Sequence, residues 1–346
     1  LANKLILKKK VKNFDKEIIF INEYYFLKNR KFKKIFQILN EIFKFFYITF
    51  FIINKNVKNL KVDTSSLIPC YFISKIINVS INLRLYGSYT LNFQKKKKDL
   101  YSYLFRKACK MNFNSVICTK DGNADYNSIK KLFINTKKFE VSFNGSNFKN
   151  FRSRKNYNLD KPLNILFIGR LNHLKGPLHL LEAVKKLRNT KRINLTIVGN
   201  GDQLEKIIRY VKKNQMMSIF NFYKKLDHYQ IRDKMRNSDL LISPSFIGYF
   251  SNVVIEATSM GLAVMTCKDK YKTINNCKFN YLQNKHCFQL NNKNNISDQI
   301  YKNLIKIINN PEKLVKMSNL EKKISKKNFL DWSHVINNEL KLTNFI

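Results

Sequence analysis

From Asn164 onward the chain alternates short unbroken apolar runs with longer stretches in which apolar residues recur at helical spacing. Asn164–Gly169 is such a run closed by glycine, the pattern of a strand covered on both faces. Leu178–Leu187 follows at helical spacing, with Pro177 near its start, where a missing N–H costs little. The same reading predicts strands over Ile193–Val198, Ile219–Phe222, Asp239–Ser243 and Leu262–Thr266. Helices are predicted over Leu204–Val211, Ile231–Met235 and Asn252–Met260. Strands alternating with helices of this length build a parallel, doubly wound α/β sheet.

The first half carries a weaker version of the pattern. Strands are predicted over Ile18–Ile21, Ser80–Leu85, Ser115–Thr119 and Phe139–Phe143, the last closing on the turn signal Asn144-Gly145, with a long helix over Lys33–Phe51. Phe148–Pro162 is polar and rich in Lys, Arg and Asn, and reads as a linker. A chain of 346 residues is too long for one compact core, so two domains are expected. The expected limits are 1–155 and 156–325, with 326–346 as a terminal segment.

Composition narrows the class without choosing a function. Hydrophobic residues at 44% and charged residues at 25% exclude disordered, collagen-like and mucin-like chains. The net charge of +42 would favour polyanions, yet Lys, Asn, Ile, Phe and Tyr are abundant together, as an AT-rich genome produces without any selected partner. Cys70, Cys109, Cys118, Cys267, Cys277 and Cys287 form no Cys-x-x-Cys pair, so neither a metal site nor a disulfide framework is expected, and a reducing cytoplasm fits. The chain opens at Leu1 with no signal-peptide pattern, and an origin inside a longer gene is expected. The most apolar run, Ile42–Ile53, is shorter than the roughly 18 residues of a spanning helix and contains Lys44, so the protein is expected to be soluble or peripheral.

The segment from Arg30 to Ile53 mixes Lys31, Lys33, Lys34 and Lys44 with Ile35, Phe36, Leu39, Phe43 and Phe46. A buried helix covering the first sheet is the favoured reading, and a helix lying on an anionic membrane is the other. The nine glycines, scarce in such a chain, fall almost entirely at the ends of predicted strands or in the loops that follow. Ligands of open parallel sheets bind outside the carboxyl ends of the strands, so these loops are where binding chemistry is sought.

One ordered series of segments is specific. Phe167-Ile-Gly-Arg-Leu171, Lys175-Gly176, Leu180-Leu-Glu-Ala183, Ile197-Val-Gly-Asn-Gly201, Asp239–Ser245, Asn252-Val-Val-Ile-Glu-Ala257 and Met260-Gly-Leu-Ala-Val264 resemble the nucleotide-sugar half of family 4 glycosyltransferases. The resemblance implies the GT-B fold, two Rossmann-like domains facing a central cleft, and transfer of a sugar from a UDP- or GDP-linked donor with retention. Leu83-Arg-Leu-Tyr-Gly87, Val116-Ile-Cys-Thr119 with Asp121-Gly122, and Phe143-Asn-Gly-Ser-Asn147 resemble the acceptor-domain segments more loosely. Phe329–Leu340, with the single tryptophan Trp332, looks like the terminal helix that crosses back to the first domain.

A sugar nucleotide presents a diphosphate that gains negative charge as the glycosidic bond breaks, so cations must meet it. In the family the positions of Arg170 and Lys175 hold that diphosphate. The loop from Ser245 to Ser251 leads into a helix whose first N–H groups, at Asn252 and Val253, form a second anion site, with Ser251 as N-cap. The matching family glutamate accepts hydrogen bonds from the nucleotide ribose, which assigns that role to Glu256. Gly169 and Gly199 flank the same crevice, and Tyr86 stands where the family often has His. The expected catalytic set is Arg170, Lys175 and Glu256; Gly169, Gly199, Ser251, Asn252, Val253 and Tyr86 are expected to bind substrate. No Asp-x-Asp element is present to hold a metal on the diphosphate, and no cofactor or metal is expected beyond the donor itself.

The chain departs from the family where Gly248 replaces a glutamate eight positions before Glu256, and where the Gly-rich first loop has no counterpart, as in a chain lacking its first strand. Residues around Lys224 and Leu226 are expected to select the base. The expected acceptor is a cell-surface glycan or its lipid-linked precursor, in the cytoplasm or on the cytoplasmic face of a membrane. A catalytically silent relative that keeps nucleotide binding, and a basic polyanion-binding protein, are the alternatives; no nucleic-acid motif is present to support the second.

Overall fold

The protein is described by a computed structural model over residues 6–9, 18–21, 33–86, 99–121, 125–148, 161–190, 193–247, 250–267, 288–291, 295–328 and 330–343. Strands β1 (Ile6–Lys9) and β2 (Ile18–Ile21) pair antiparallel in a sheet of their own. The strand predicted at Ile18–Ile21 thus exists, but it does not join the parallel sheet of the first half. A run of four apolar residues does not specify its partner, and a nearby antiparallel neighbour claims it.

Helix α1 (Lys33–Asn54) leads to β3 (Asn59–Asp63), α2 (Leu67–Ile76), β4 (Ser80–Leu85), α3 (Leu100–Ala108), β5 (Phe113–Thr119), α4 (Tyr126–Leu132) and β6 (Thr136–Ser142). The four strands β3-β4-β5-β6 lie side by side in chain order, all parallel. Leu83, Leu85, Val116 and Cys118 meet Ile73 of α2 and Phe105 of α3 in one buried core. Helix α1 contributes Ile48 and Ile52 to that core rather than the Leu39, Phe43 and Phe46 that the favoured reading placed inside, and Lys44 is also buried, donating to the Ser65 carbonyl at 2.9 Å. The opposite face of α1 stays open: Leu39, Phe43, Phe46, Phe50 and Ile53 are all exposed. Lys44 therefore belongs to the inner face, and Lys31 lies outside the described residues.

The second half runs β7 (Leu163–Ile168), α5 (Pro177–Lys185), β8 (Ile193–Val198), α6 (Leu204–Lys213), β9 (Phe220–Tyr223), α7 (His228–Arg236), β10 (Leu240–Ser243), α8 (Asn252–Ser259), β11 (Ala263–Cys267), β12 (Phe288–Leu290), α9 (Ile296–Asn309), α10 (Glu312–Asn328) and α11 (Trp332–Leu342). Its six-stranded parallel sheet has the order β12-β11-β10-β7-β8-β9. Alternate residues feed two layers. Ile165, Phe167, Ile242 and Met265 pack with α5, α6 and α9, whereas Leu166, Leu241 and Val264 pack with α8. Both faces are therefore covered, which is why these strands read as unbroken apolar runs. The chain first winds outward from β7 to β9, then returns to place β10 on the other side of β7. The strand order reverses between β7 and β10, and the carboxyl ends of these strands are where open sheets of this kind bind their ligands.

Phe113 ties β5 to the loop after α4. It is buried against Phe133, ring centroids 5.6 Å apart in an edge-on arrangement. Phe113→Ala is expected to cost about 3–5 kcal/mol, read as a lowered midpoint in urea denaturation of the first half.

Candidate active site

The loop after β7 starts with Gly169, whose N–H donates to the Val198 carbonyl at 3.0 Å, and Gly199 donates likewise to Tyr223 at 2.9 Å. These two amides are committed to backbone partners, and only Gly199 must lack a side chain, since a Cβ on Gly169 would meet nothing nearer than the Phe167 ring at 3.7 Å. Gly199 has φ of 151°, and a Cβ there would overlap the carbonyl oxygen of Gly169. The bare contact brings the loops after β7 and β8 together at the crevice floor, where Leu171 N–H donates to Asn200 O at 2.9 Å.

Arg170 follows at once and is exposed; among the described residues it forms no salt bridge. Asn172 then caps a short 3₁₀ turn, His173–Lys175, by accepting from the Lys175 N–H at 3.1 Å. Gly176 ends the turn in the left-handed region, φ 66°, and hands the chain to Pro177 at the start of α5. The turn aims Lys175 back over the sheet, where its Nζ donates to the Ile247 carbonyl at 3.4 Å. Burial lowers the Lys175 pKa, the Asp121 carboxylate pulls it up, and the Arg170 cation pushes it down again. Arg170, Lys175 and Asp121 thus share one electrostatic neighbourhood, in which the single carboxylate faces two cations.

The loop after β10 closes the other side. Phe246 N–H donates to Leu174 O at 2.9 Å, and the Phe246 ring stacks on His173, centroids 5.6 Å apart at 9°. Gly248, the departure noted in the sequence, lies outside the described residues. Phe250 N–H then donates to the Asp121 carbonyl at 3.1 Å, joining this loop to the end of β5 in the first sheet. Ser251 occupies the N-cap position of α8 with extended backbone, but its side chain makes no capping bond. The cap expected from its side chain is corrected accordingly. Without it the first-turn N–H groups, those of Asn252 and Val253 included, keep their positive end for an anion. The Val253 side chain packs against the core, so only its backbone is offered to the crevice.

Glu256 sits one turn into α8, half-buried, and burial pushes its carboxyl up to about 7. An ordinary surface glutamate would not be desolvated in this way. Tyr86 stands at the end of β4, 64% exposed, with the Arg84 guanidinium 5.2 Å from its ring centroid. Among the described residues no hydrogen bond or ring contact joins it to Arg170, Lys175 or α8. Lys224, expected to help select the base, is exposed in the loop after β9, two residues before Leu226; Gly199 donates to the neighbouring Tyr223. Asp121, two residues beyond β5, is a site residue that the sequence offers only within the Asp121-Gly122 segment; its carboxylate lies close enough to Lys175 to act on its pKa. Among the described residues no group of three His, Cys, Asp or Glu side chains is placed to hold a metal ion.

Two parallel Rossmann-like sheets, the second reversing its strand order at β7 and β10, define a GT-B architecture, and similar solved structures share it. Sucrose-phosphate synthase from Thermosynechococcus elongatus matches with a TM-score of 0.75 at 14% identity, covering 99% of this chain and 85% of that one. Anabaena HepE, solved in complex with UDP-glucose, matches with a TM-score of 0.64 at 15% identity, covering 84% and 79%. Residues 149–324 match the family described as Glycosyl transferases group 1, and the chain belongs to that family. Glycogen synthase of Mycobacterium tuberculosis is 30% identical over 106 residues, which span 30% of this chain and 26% of that enzyme.

The raised carboxyl has a consequence for stability. Folding favours the protonated form of Glu256, so the penalty on the native state is absent below the unfolded value of 4.5 and grows until the pH passes about 7. Glu256→Gln is expected to raise the melting temperature at pH 8 while leaving it unchanged near pH 4, as read by calorimetry.

Proposed function

We propose that the protein is a glycosyltransferase that moves a sugar from a nucleotide-diphosphate donor to a hydroxyl acceptor, with retention, as family 4 enzymes do. What supports the reading is that Arg170 and Lys175 interact electrostatically in the loop after β7, and that Lys175 Nζ donates to the Ile247 carbonyl in the loop leading to α8, whose first turn has no side-chain cap. A UDP-linked donor is favoured over a GDP-linked one by the likeness to the UDP-glucose complex of HepE. In this scheme the bond between the anomeric carbon and the β-phosphate oxygen breaks while the acceptor oxygen attacks the same face of the sugar. The acceptor proton passes to the departing phosphate oxygen. Arg170, Lys175 and the α8 amides stabilise the charge that collects on the diphosphate, which is greater in the transition state than in the bound donor. Glu256, ionised on meeting the ribose hydroxyls, fixes the nucleoside. Because proton transfer is internal to the reacting pair, Tyr86 is not required as a base.

The acceptor proposed is a cell-surface glycan or its lipid-linked precursor, reached at the cytoplasmic face of a membrane. The open apolar face of α1 supports peripheral contact with an anionic bilayer, since Leu39, Phe43, Phe46, Phe50 and Ile53 line one side of a helix in a chain of net charge +42. No helix among the described residues is long and apolar enough to cross a membrane.

Sugar transfer from UDP- and GDP-linked donors, followed by release of the nucleoside diphosphate, tests the reading. Arg170→Ala and Lys175→Ala are each expected to lower kcat by about 10²–10³-fold, the scale of losing one group that stabilises transition-state charge. Tight nucleotide binding without turnover of any donor would instead support a silent relative. Flotation with vesicles containing phosphatidylglycerol is expected to recover the protein at low salt. Phe46→Glu with Phe50→Glu is expected to abolish that recovery.

A further inference from the structure

Helix α11 lies against the first sheet through a buried carboxylate. Glu339, 6% exposed, pairs with Arg84 at 2.9 Å (Nε to Oε1) and with Lys61 at 2.6 Å (Nζ to Oε2). Arg84, 2% exposed, uses its remaining N–H groups to donate to the Ile117 carbonyl at 3.3 Å and to Asn144 Oδ1 at 3.1 Å. Thr119 donates to the same oxygen at 3.4 Å. That leaves the Asn144 amide nitrogen facing the other way, where it donates to Asn252 Oδ1 at 2.6 Å. Asn252 is the first residue of α8.

The chemistry gives this chain a direction. A guanidinium has donors only, so the face of Asn144 towards Arg84 must be its oxygen, and its NH₂ must point at Asn252. Reversing the amide would set donor against donor beside a buried cation, which Glu339 in turn keeps neutralised. The contact lies beside two others that meet the start of α8, the Phe250 N–H on the Asp121 carbonyl and the edge-on pair of Phe143 with Phe250, centroids 5.6 Å apart.

We propose that Asn144 is a positioning residue for the donor site: oriented by the Glu339–Arg84 pair of the terminal helix, it holds the first turn of α8 in place from the opposite domain. The inference rests on reading that turn as the diphosphate site. It makes the docking of α11 a condition of full donor affinity, although no atom of α11 reaches the donor crevice in this chain of contacts.

Asn144→Asp tests it with almost no change of shape. The carboxylate keeps its pairing with Arg84 but has no N–H to donate, so the present bond to Asn252 Oδ1 is lost and the Asn252 amide must turn round to make any replacement. In the full-length chain, the Kd for UDP measured by calorimetry is expected to rise roughly fivefold to tenfold, the worth of one hydrogen bond. Hydrogen exchange of the amides at 252–255 in nucleotide-free protein is expected to quicken. Asn144→Ser, whose hydroxyl reaches less far, is expected to show the same two changes if the first variant folds poorly. Glu339→Gln is expected to weaken UDP binding in the wild-type background but add nothing to Asn144→Asp. Unchanged exchange at 252–255 in both Asn144 variants, or additive effects of Glu339→Gln and Asn144→Asp, would overturn the proposal. If the wild-type chain bound neither UDP nor GDP, the diphosphate reading would fall, and the exchange measurement would still decide whether Asn144 holds α8.

Discussion

The structure turns on like charge held together. Arg170 and Lys175 lie near enough for one cation to depress the pKa of the other, and Lys175 is partly stripped of water as well. The Asp121 carboxylate offsets part of that repulsion, burial still disfavours the charged amine, and the framework around the pair resists relaxation. Asn172 pins the turn that carries Lys175, Gly176 gives that turn its left-handed end, and the bare contact of Gly199 with Gly169 sets the loops at their spacing. The uncapped first turn of α8 adds positive potential from the opposite side. Strain of this kind is tolerated where binding relieves it, and stability is the quantity given up in exchange.

The two halves meet at the same point. The loop entering α8 is bonded to the end of β5 through Phe250 and Asp121, and Asn252 is held by Asn144. Asn147 accepts from the Trp332 N–H at 3.3 Å and Ser146 donates to Leu330, so the turn after β6 receives the terminal helix as well. Gly145 has no room for a side chain there, since a Cβ would lie 2.7 Å from the Trp332 backbone. A turn that looks like a plain Asn-Gly in the sequence is thus a junction of the first sheet, the last helix and helix α8.

How much of this was legible follows from where each signal resides. The second sheet announced itself because strands buried on both faces must be apolar throughout; Ile193–Val198 was located to the residue. Strand β3 went unread: Asn59–Asp63 alternates polar and apolar residues, but as an edge strand with no fully buried position it shows only two apolar residues, Leu60 and Val62, too short an alternation to stand out. The inner and outer faces of α1 are both apolar, so spacing could not say that Lys44 turns inward while Phe46 is 65% exposed. Arg170 and Lys175 were visible because their positions relative to strand ends carry the chemistry locally. Arg84 was not, because its meaning depends on Asn144 and Glu339, 60 and 255 residues away along the chain. A buried ion pair assembled across such distances leaves no mark in either segment alone.

The most direct measurement is a crystal structure of the protein with UDP bound. The account requires the diphosphate to sit in the crevice between β7 and β10, with its oxygens within hydrogen-bonding distance of Lys175 Nζ, the Arg170 guanidinium and the first-turn amides of α8. A diphosphate bound elsewhere, or one that left Arg170 and Lys175 in contact with water alone, would contradict it.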